Sequence, residues 1–204
     1  MIIGLTGAYC AGKNHIAALL EARGLPVLDV DKLGYQALES EKDAIFTLFG
    51  SELKRDDGSL DRRLLGKLVF GSAEELAKLE AIVHPAANRL TEEWIGKQNK
   101  SCVINAALLH RSSIFSKLDY IILVTAPVIT RFFRAKRRDK LSFGEIIKRF
   151  KSQKDFYNQY LSINSSPVYA EIYRIENPGL KGGRKLERRI DTFLKQILPD
   201  KEYD

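Results

Sequence analysis

The sequence predicts an α/β fold, a parallel sheet flanked by helices, and three observations lead to it. The chain opens strand, loop, helix, strand. Two later apolar runs have the length of buried strands. Two long stretches carry helical periodicity and no strand signal.

Met1 to Thr6 is a short apolar run rich in Ile, and Gly7 to Gly12 is prone to turn. From Lys13 the spacing of Ile16, Leu19 and Leu20 predicts a helix, closed by Arg23-Gly24. Pro26-Val27-Leu28 begins a second buried strand, expected to end at Asp29-Val30-Asp31. This is the opening βαβ unit of an α/β protein. Residues 101–105 and 119–124 are the two later strands. Ile172-Tyr173-Arg174-Ile175 is a weaker candidate, followed by Asn177-Pro178-Gly179 and a last amphipathic helix with Leu186, Ile190, Phe193 and Leu194. Residues 35–100 are expected to form several helices, broken at Asp57-Gly58 and His84-Pro85. Residues 128–160 are expected to form two charged helices meeting near Lys140-Leu141-Ser142. The polar tail from Pro199 to Asp204 is expected to fray.

Composition narrows the class. With 45% hydrophobic and 29% charged residues among 204, the chain has the make-up of an ordinary globular protein. The longest uncharged apolar run, Tyr120 to Ala126, is far too short for a bilayer, so no membrane partner is expected. Met1-Ile2-Ile3 leads into Gly4 without a basic n-region or a long apolar stretch, which argues against a secretory signal. Cys10 and Cys102 are isolated, as suits a reduced cytoplasm. The net charge of +7 resides in one segment: from Arg131 to Lys151 nine Lys or Arg face two acids, and the remainder is neutral. A nucleic acid, a membrane surface or a polyphosphate ligand could each use such a patch, or it could be a solvated helix face.

Gly7-Ala8-Tyr9-Cys10-Ala11-Gly12-Lys13 matches G-x-x-x-x-G-K, the P-loop, and lies between a strand and a helix as the motif requires. Glycines allow a tight turn that points backbone N–H groups at phosphate oxygens. The helix that follows adds its N-terminal donors and dipole. Lys13 is placed to reach the β- and γ-phosphates of a nucleoside triphosphate. The motif continues with Ser or Thr, whose hydroxyl binds Mg²⁺; here Asn14 offers an amide oxygen, and His15 follows. Asp29 and Asp31 flank Val30 at the carboxyl end of the second strand, where open α/β sheets bind ligands. Strand alternation would place both on one face, one as general base and the other on metal-bound water; either could instead cap the next helix.

Beyond the loop, the sequence resembles the dephospho-coenzyme A kinase family along nearly its whole length. The resemblance is carried by Ile3 to Gly7 with Gly12-Lys13, by Gly24 to Asp31, and by Phe49-Gly50, Asp57-Gly58, Leu60-Asp61-Arg62, Leu65 and Val69-Phe70. Leu79-Glu80, His84-Pro85-Ala86, Arg134, Arg138-Asp139, Arg149, Gln153 and Asn177-x-Gly179 continue it. It departs from the family where a D-x-P-L-L-x-E run reads Asn105 to Arg111, where Asn88-Arg89 replaces an arginine after His-Pro, and where Ala170-Glu171 replaces Ala-Asp.

The resemblance implies a single P-loop nucleotide-kinase-like domain over residues 1–204. Its core is expected at about 1–34, 101–127 and 169–198, a helical acceptor-binding insert at about 35–100, and a helical lid at about 128–168. It implies ATP with Mg²⁺, and phosphorylation of the ribose 3′-hydroxyl of dephospho-coenzyme A. The implied catalytic residues are Lys13, Asp31 as general base, and Arg138. ATP would be held by Gly7, Ala8, Tyr9, Cys10, Ala11, Gly12, Lys13, Asn14, His15, Arg134, Arg138 and Asn177. The acceptor would be held by Asp29, Asp31, Arg62, His84 and Arg149. The metal would sit on Asn14, with Asp29 acting through water. A monomer in the cytoplasm, without nucleic acid, is favoured. Two alternatives stay open: a kinase for another nucleoside or nucleotide, and a catalytically weakened nucleotide-binding regulator, suggested by Asn14 and Arg111. The aromatics Phe132, Phe133, Phe150, Phe156, Tyr157 and Tyr160 are read as helix packing.

Overall fold

A computed structural model describes residues 1–161, 170–179 and 182–198. The expected tail from Pro199 to Asp204 and the end of the expected lid at 162–168 lie outside them. Contacts divide the chain into two compact units, Met1–Leu28 with Gln98–Asp204, and Asp29–Lys97.

The first unit is built on a sheet ordered β2-β3-β1-β4-β5, with β1 at Ile2–Gly7, β2 at Val27–Asp29, β3 at Cys102–Asn105, β4 at Tyr120–Thr125 and β5 at Glu171–Glu176. The β1–β3, β1–β4 and β4–β5 pairs are parallel. Because β3 and β4 enclose β1 on both sides, β1 reads as an unbroken apolar run. On one face of the sheet, α1 (Lys13–Glu21) and α9 (Gly183–Ile197) pack over Ile3, Leu5, Ile122 and Val124 with Ile16, Leu20, Ile190 and Phe193. Arg23 Nε donates to Asp191 Oδ1 at 2.6 Å, tying the end of α1 to α9.

The strand expected to run to Asp31 stops at Asp29, which corrects the alternation argument. Asp29 is the N-cap of α2 (Val30–Ser40), where its Oδ1 accepts from the N–H of Asp31 at 3.1 Å and of Lys32 at 3.4 Å. Asp31 therefore sits in a first helical turn and not on a strand face. A carboxylate at this place satisfies two donors left over by the helix, and that local gain ends the strand.

The second unit is helical, with α2, α3 (Lys42–Phe49), α4 (Arg62–Val69) and α5 (Ala73–Gly96) around a core of Ile45, Leu53, Leu60, Leu65 and Val69. Asp57-Gly58 does interrupt the helices. Gly58 has φ 78°, and the turn brings Lys54 and Leu60 into an antiparallel bridge. His84-Pro85 does not break the chain there: α5 runs through both residues. Pro85 supplies no N–H to the carbonyl one turn earlier, a loss of about 3 kcal/mol in an isolated helix. Buried contacts such as Ala86 in α5 outweigh it.

The basic stretch folds as expected into α6 (Val128–Asp139) and α7 (Phe143–Ser152), with α8 (Phe156–Leu161) behind them. Lys140, at φ 53°, ends α6 in the left-handed conformation. Ser142 and Glu145 form a reciprocal capping box that starts α7.

Phe193 is fully buried, with its ring 4.6 Å from that of Tyr173 and 6.1 Å from that of Tyr120. Phe193→Ala should cost about 3–5 kcal/mol of stability, read as a drop in urea midpoint at unchanged slope. A loss under about 1 kcal/mol would mean that α9 is not part of the cooperative core.

Candidate functional site

In the first unit the site begins where β1 ends. Gly7 closes the strand, Cys10 adopts φ 59°, and Gly12, at φ 96°, is the N-cap of α1. These left-handed residues bend the loop so that α1 begins at Lys13 directly behind it. A Cβ on Gly12 would lie 2.1 Å from Asn177 Nδ2 and 3.3 Å from an Arg134 guanidinium nitrogen, so glycine here serves both the turn and the close approach.

Asn177 is 3% exposed, and its N–H donates to Thr125 O at 2.7 Å, which carries β5 past the end of β4. Its Oδ1 accepts from Arg134 at 2.9 Å, and Arg134 also donates to Ala11 O at 3.0 Å. Burial holds the Arg134 pKa below its usual value. The structure thus brings Gly12, Arg134 and Asn177 together, three of the residues expected around ATP.

Arg138 lies one turn beyond Arg134 on α6. Its Nε and a terminal nitrogen fork onto Asp139 at 2.6 and 3.0 Å, and Arg149 from α7 reaches the same carboxylate at 3.5 Å. Held first by Arg138 and then by the Tyr9 hydroxyl, Asp139 has its pKa lowered to about 2. Arg149, expected at the acceptor, thus shares the Asp139 carboxylate with Arg138.

Sequence reasoning missed the deepest member of the basic run. Arg131 is 8% exposed and donates from Nε to Tyr9 O at 2.8 Å, while its guanidinium lies 4.6 Å from the centre of the Phe150 ring. The signal available was its position three residues before Arg134 on the same helix face. Gln153 accepts from Tyr9 N–H at 2.7 Å. Of the aromatics, Phe156 and Tyr160 are buried, Phe150 meets Tyr9 edge to face, and Phe133, 65% exposed, meets Phe132.

Where the loop runs into α1, Asn14 Oδ1 accepts from Asn105 Nδ2 at 3.4 Å, and the buried Asn105 Oδ1 has no hydrogen-bond partner. An orphaned buried carbonyl oxygen beside a second amide oxygen is a fit for a hard cation, as two neutral donors. Among the described residues no cluster of three or more His, Cys, Asp or Glu could hold a metal by itself. The donor set fits an ion that keeps most of its oxygens from phosphate and water. His15 is exposed on α1, and its N–H bonds back to Gly12 O.

In the second unit, Asp31 and His84 line one pocket of about 280 Å³ with Gly34, Tyr35, Leu38, Leu79, Glu80 and Val83. Arg62, at the first position of α4 behind the Asp61 cap, holds its guanidinium 5.0 Å from the centre of the Tyr35 ring. Three of the residues expected at the acceptor are therefore neighbours, around an apolar and aromatic wall with two carboxylates and an imidazole. Asp29, as a cap, is not among the residues lining this pocket.

Asp139 gives the end of α6 a pH signature. Its folded pKa of about 2 lies below the ordinary 3.8, so its contribution is complete above about pH 4 and is lost as pH falls through 2. The difference in urea midpoint between wild type and Asp139→Asn should be largest above pH 4 and close between pH 4 and 2. A difference independent of pH would show that the carboxylate is not paired as described.

A family profile described as dephospho-CoA kinase matches residues 1–161. The chain is 33% identical over 204 residues to the dephospho-CoA kinase of Treponema pallidum (strain Nichols), covering 95% of this chain and 93% of that one. It is 35% identical over 161 residues to that of Halalkalibacterium halodurans, covering 76% and 80%. Among solved structures, TT1252 from Thermus thermophilus superposes with a TM-score of 0.77 at 32% identity, covering 98% of each chain. Dephospho-CoA kinase from Campylobacter jejuni shares the fold with a TM-score of 0.69 at 22% identity, covering 96% of each. A P-loop with Arg131 and Arg134 of α6 seated on it, and a profile match over most of the chain, lead to one assignment: the protein belongs to the dephospho-CoA kinase family.

Proposed function

We propose that the protein transfers the γ-phosphoryl group of ATP to the ribose 3′-hydroxyl of dephospho-coenzyme A, giving coenzyme A and ADP. The observation that carries this reading is the Gly7–Asn14 loop with Arg134 and Asn177 drawn onto it and Arg138 one helical turn away. Phosphoryl transfer needs little covalent help from a protein. It needs positioning, and positive charge where the equatorial oxygens of the moving group gain negative charge.

In this reading the loop N–H groups and the start of α1 bind the phosphates, and Lys13 follows the migrating group. Arg134 and Asn177 hold the nucleotide, and Arg138 and Arg149 face the charge that develops in transfer. Asp31 takes the proton from the acceptor hydroxyl, with His84 and Arg62 holding the acceptor. Asn14 and Asn105 would hold Mg²⁺, with Asp29 reaching it through water; the ion, when bound, neutralises phosphate charge. The protein would act as a cytoplasmic monomer without a nucleic-acid partner. Among the described residues no helix is long and apolar enough to cross a membrane.

The deciding assay offers ATP with dephospho-coenzyme A, adenosine, AMP and shikimate, and locates the new phosphate by ³¹P NMR. Transfer to dephospho-coenzyme A at the 3′ position is expected. Faster transfer to another acceptor would replace the substrate, and no transfer to any would leave a nucleotide-binding protein. Lys13→Ala should keep the fold by circular dichroism and lose transfer. Turnover above about a tenth of wild type would sink the assignment of Lys13 to the migrating group, since that charge is expected to matter at least tenfold.

Asn14→Thr should lower the Mg²⁺ concentration for half-maximal rate at saturating ATP, without changing acceptor preference. A hydroxyl there is shorter than the amide and suits the near-octahedral geometry the ion demands. Coincident titration curves would mean that Asn14 does not touch the metal.

A further inference from the structure

We propose that the Tyr9 side chain is a positioning residue, which holds Arg138 and Arg149 of the lid beside the phosphate loop. The inference rests on the reading of those arginines as phosphate-facing, and its test separates the two.

Tyr9 occupies the third place of the loop, where the motif itself asks for no particular side chain. Every part of it is engaged by the lid. Its N–H donates to Gln153 at 2.7 Å, and its carbonyl accepts from Arg131 at 2.8 Å. Its ring centroid lies 6.0 Å from that of Phe150, at 68°. The Arg138 and Arg149 guanidiniums stand 5.3 and 5.2 Å from its centre, within cation–π range. The hydroxyl donates to Asp139 Oδ2 and accepts from Arg149 at 3.3 Å. Asp139 in turn forks onto Arg138.

These contacts form a closed circuit of ring, hydroxyl, carboxylate and two guanidiniums. An ion pair between adjacent residues, such as Arg138 with Asp139, orients little by itself, because both side chains are free to swing together in solvent. Arg138 is 62% exposed and Arg149 51%, so neither is held by burial. The phenol hydroxyl supplies the missing fixed point, since it is anchored to the loop backbone and bonded to the carboxylate that both arginines share. Burial, then the bond to Asp139, raises the phenol pKa, which keeps the hydroxyl a donor at working pH. The cluster carries two cations against one anion, and that net positive charge lies beside the loop that receives polyphosphate. A residue that only filled space would need no hydroxyl and no shared carboxylate.

The test is steady-state kinetics with ATP and dephospho-coenzyme A for Tyr9→Phe, Tyr9→Leu, Asp139→Asn, Arg138→Ala and the Tyr9→Leu/Arg138→Ala pair, with thermal melts of each. Tyr9→Leu should lower kcat about tenfold or more while the KM for ATP changes by less than about threefold, the mark of a contact that matters mainly in the transition state. Tyr9→Phe keeps the ring, should fold as wild type does, and should lose kcat by about threefold. Asp139→Asn should match it. In the double variant the losses should fall short of their product, because both changes break one circuit. If Arg138→Ala is damaging but both Tyr9 variants keep wild-type kcat, Tyr9 is packing only and the inference falls. A raised KM at unchanged kcat would make it a loop-shaping residue, and fully multiplicative losses would make it independent of Arg138; either overturns the proposal. Wild-type turnover in Arg138→Ala would instead remove the reading of the lid arginines.

Discussion

The first unit depends on a turn that cannot bear a side chain. Gly12 must leave the loop in a left-handed conformation for α1 to begin behind it, and the space where a Cβ would stand is taken by Asn177. That one vacancy lets the end of β5 and the side of α6 close on the same few atoms. β1 supplies the loop, β5 delivers Asn177, and α6 delivers Arg134, although the three are far apart in the chain. The parallel sheet sets their spacing, because its strands all end at one rim. The sheet is therefore a frame for this rim, and its buried Ile and Val residues are what keep the rim from shifting.

Much of this was legible in the residues. The strand before Gly7, the helix after Lys13 and the later strands at 102–105 and 120–125 announce themselves by run length and composition. Arg134 and Asn177 were singled out only through the resemblance, and the structure brings them together at Gly12. What was hidden had a common cause: local chemistry that overrides period. Asp29 looked like a strand residue until its carboxylate found two helix N–H groups. Pro85 looked like a break, yet packing carries α5 through it. A carboxylate that can cap, or a proline in a long packed helix, has two permitted outcomes, and tertiary contacts choose between them.

Charge was the least legible property. The run from Arg131 to Lys151 reads as a uniform basic patch, but the structure divides it by depth. Arg131 is buried against a loop carbonyl, Arg134 is half-buried at the glycine, and Arg138 and Arg149 are exposed around Asp139. A count of nine cations describes none of this, because it carries no information about which face of α6 meets the loop. Asn14 and Asn105 are the reverse case. Each looked like a separate departure from the family pattern, and only the structure shows that the two amides meet, so that the loop end is built from amides.

Cys10 is the one side chain that the loop carries in a left-handed backbone without being glycine, a conformation that costs an L-residue about 1–2 kcal/mol. Burial raises its thiol pKa, more than the nearby Arg138 lowers it. At neutral pH the sulfur is therefore protonated and uncharged. It sets no negative charge against incoming phosphate, and as a thiol it is a poor nucleophile toward oxidants and alkylating agents. The loop thus carries a sulfur atom at its curve without setting an electrostatic penalty against its ligand.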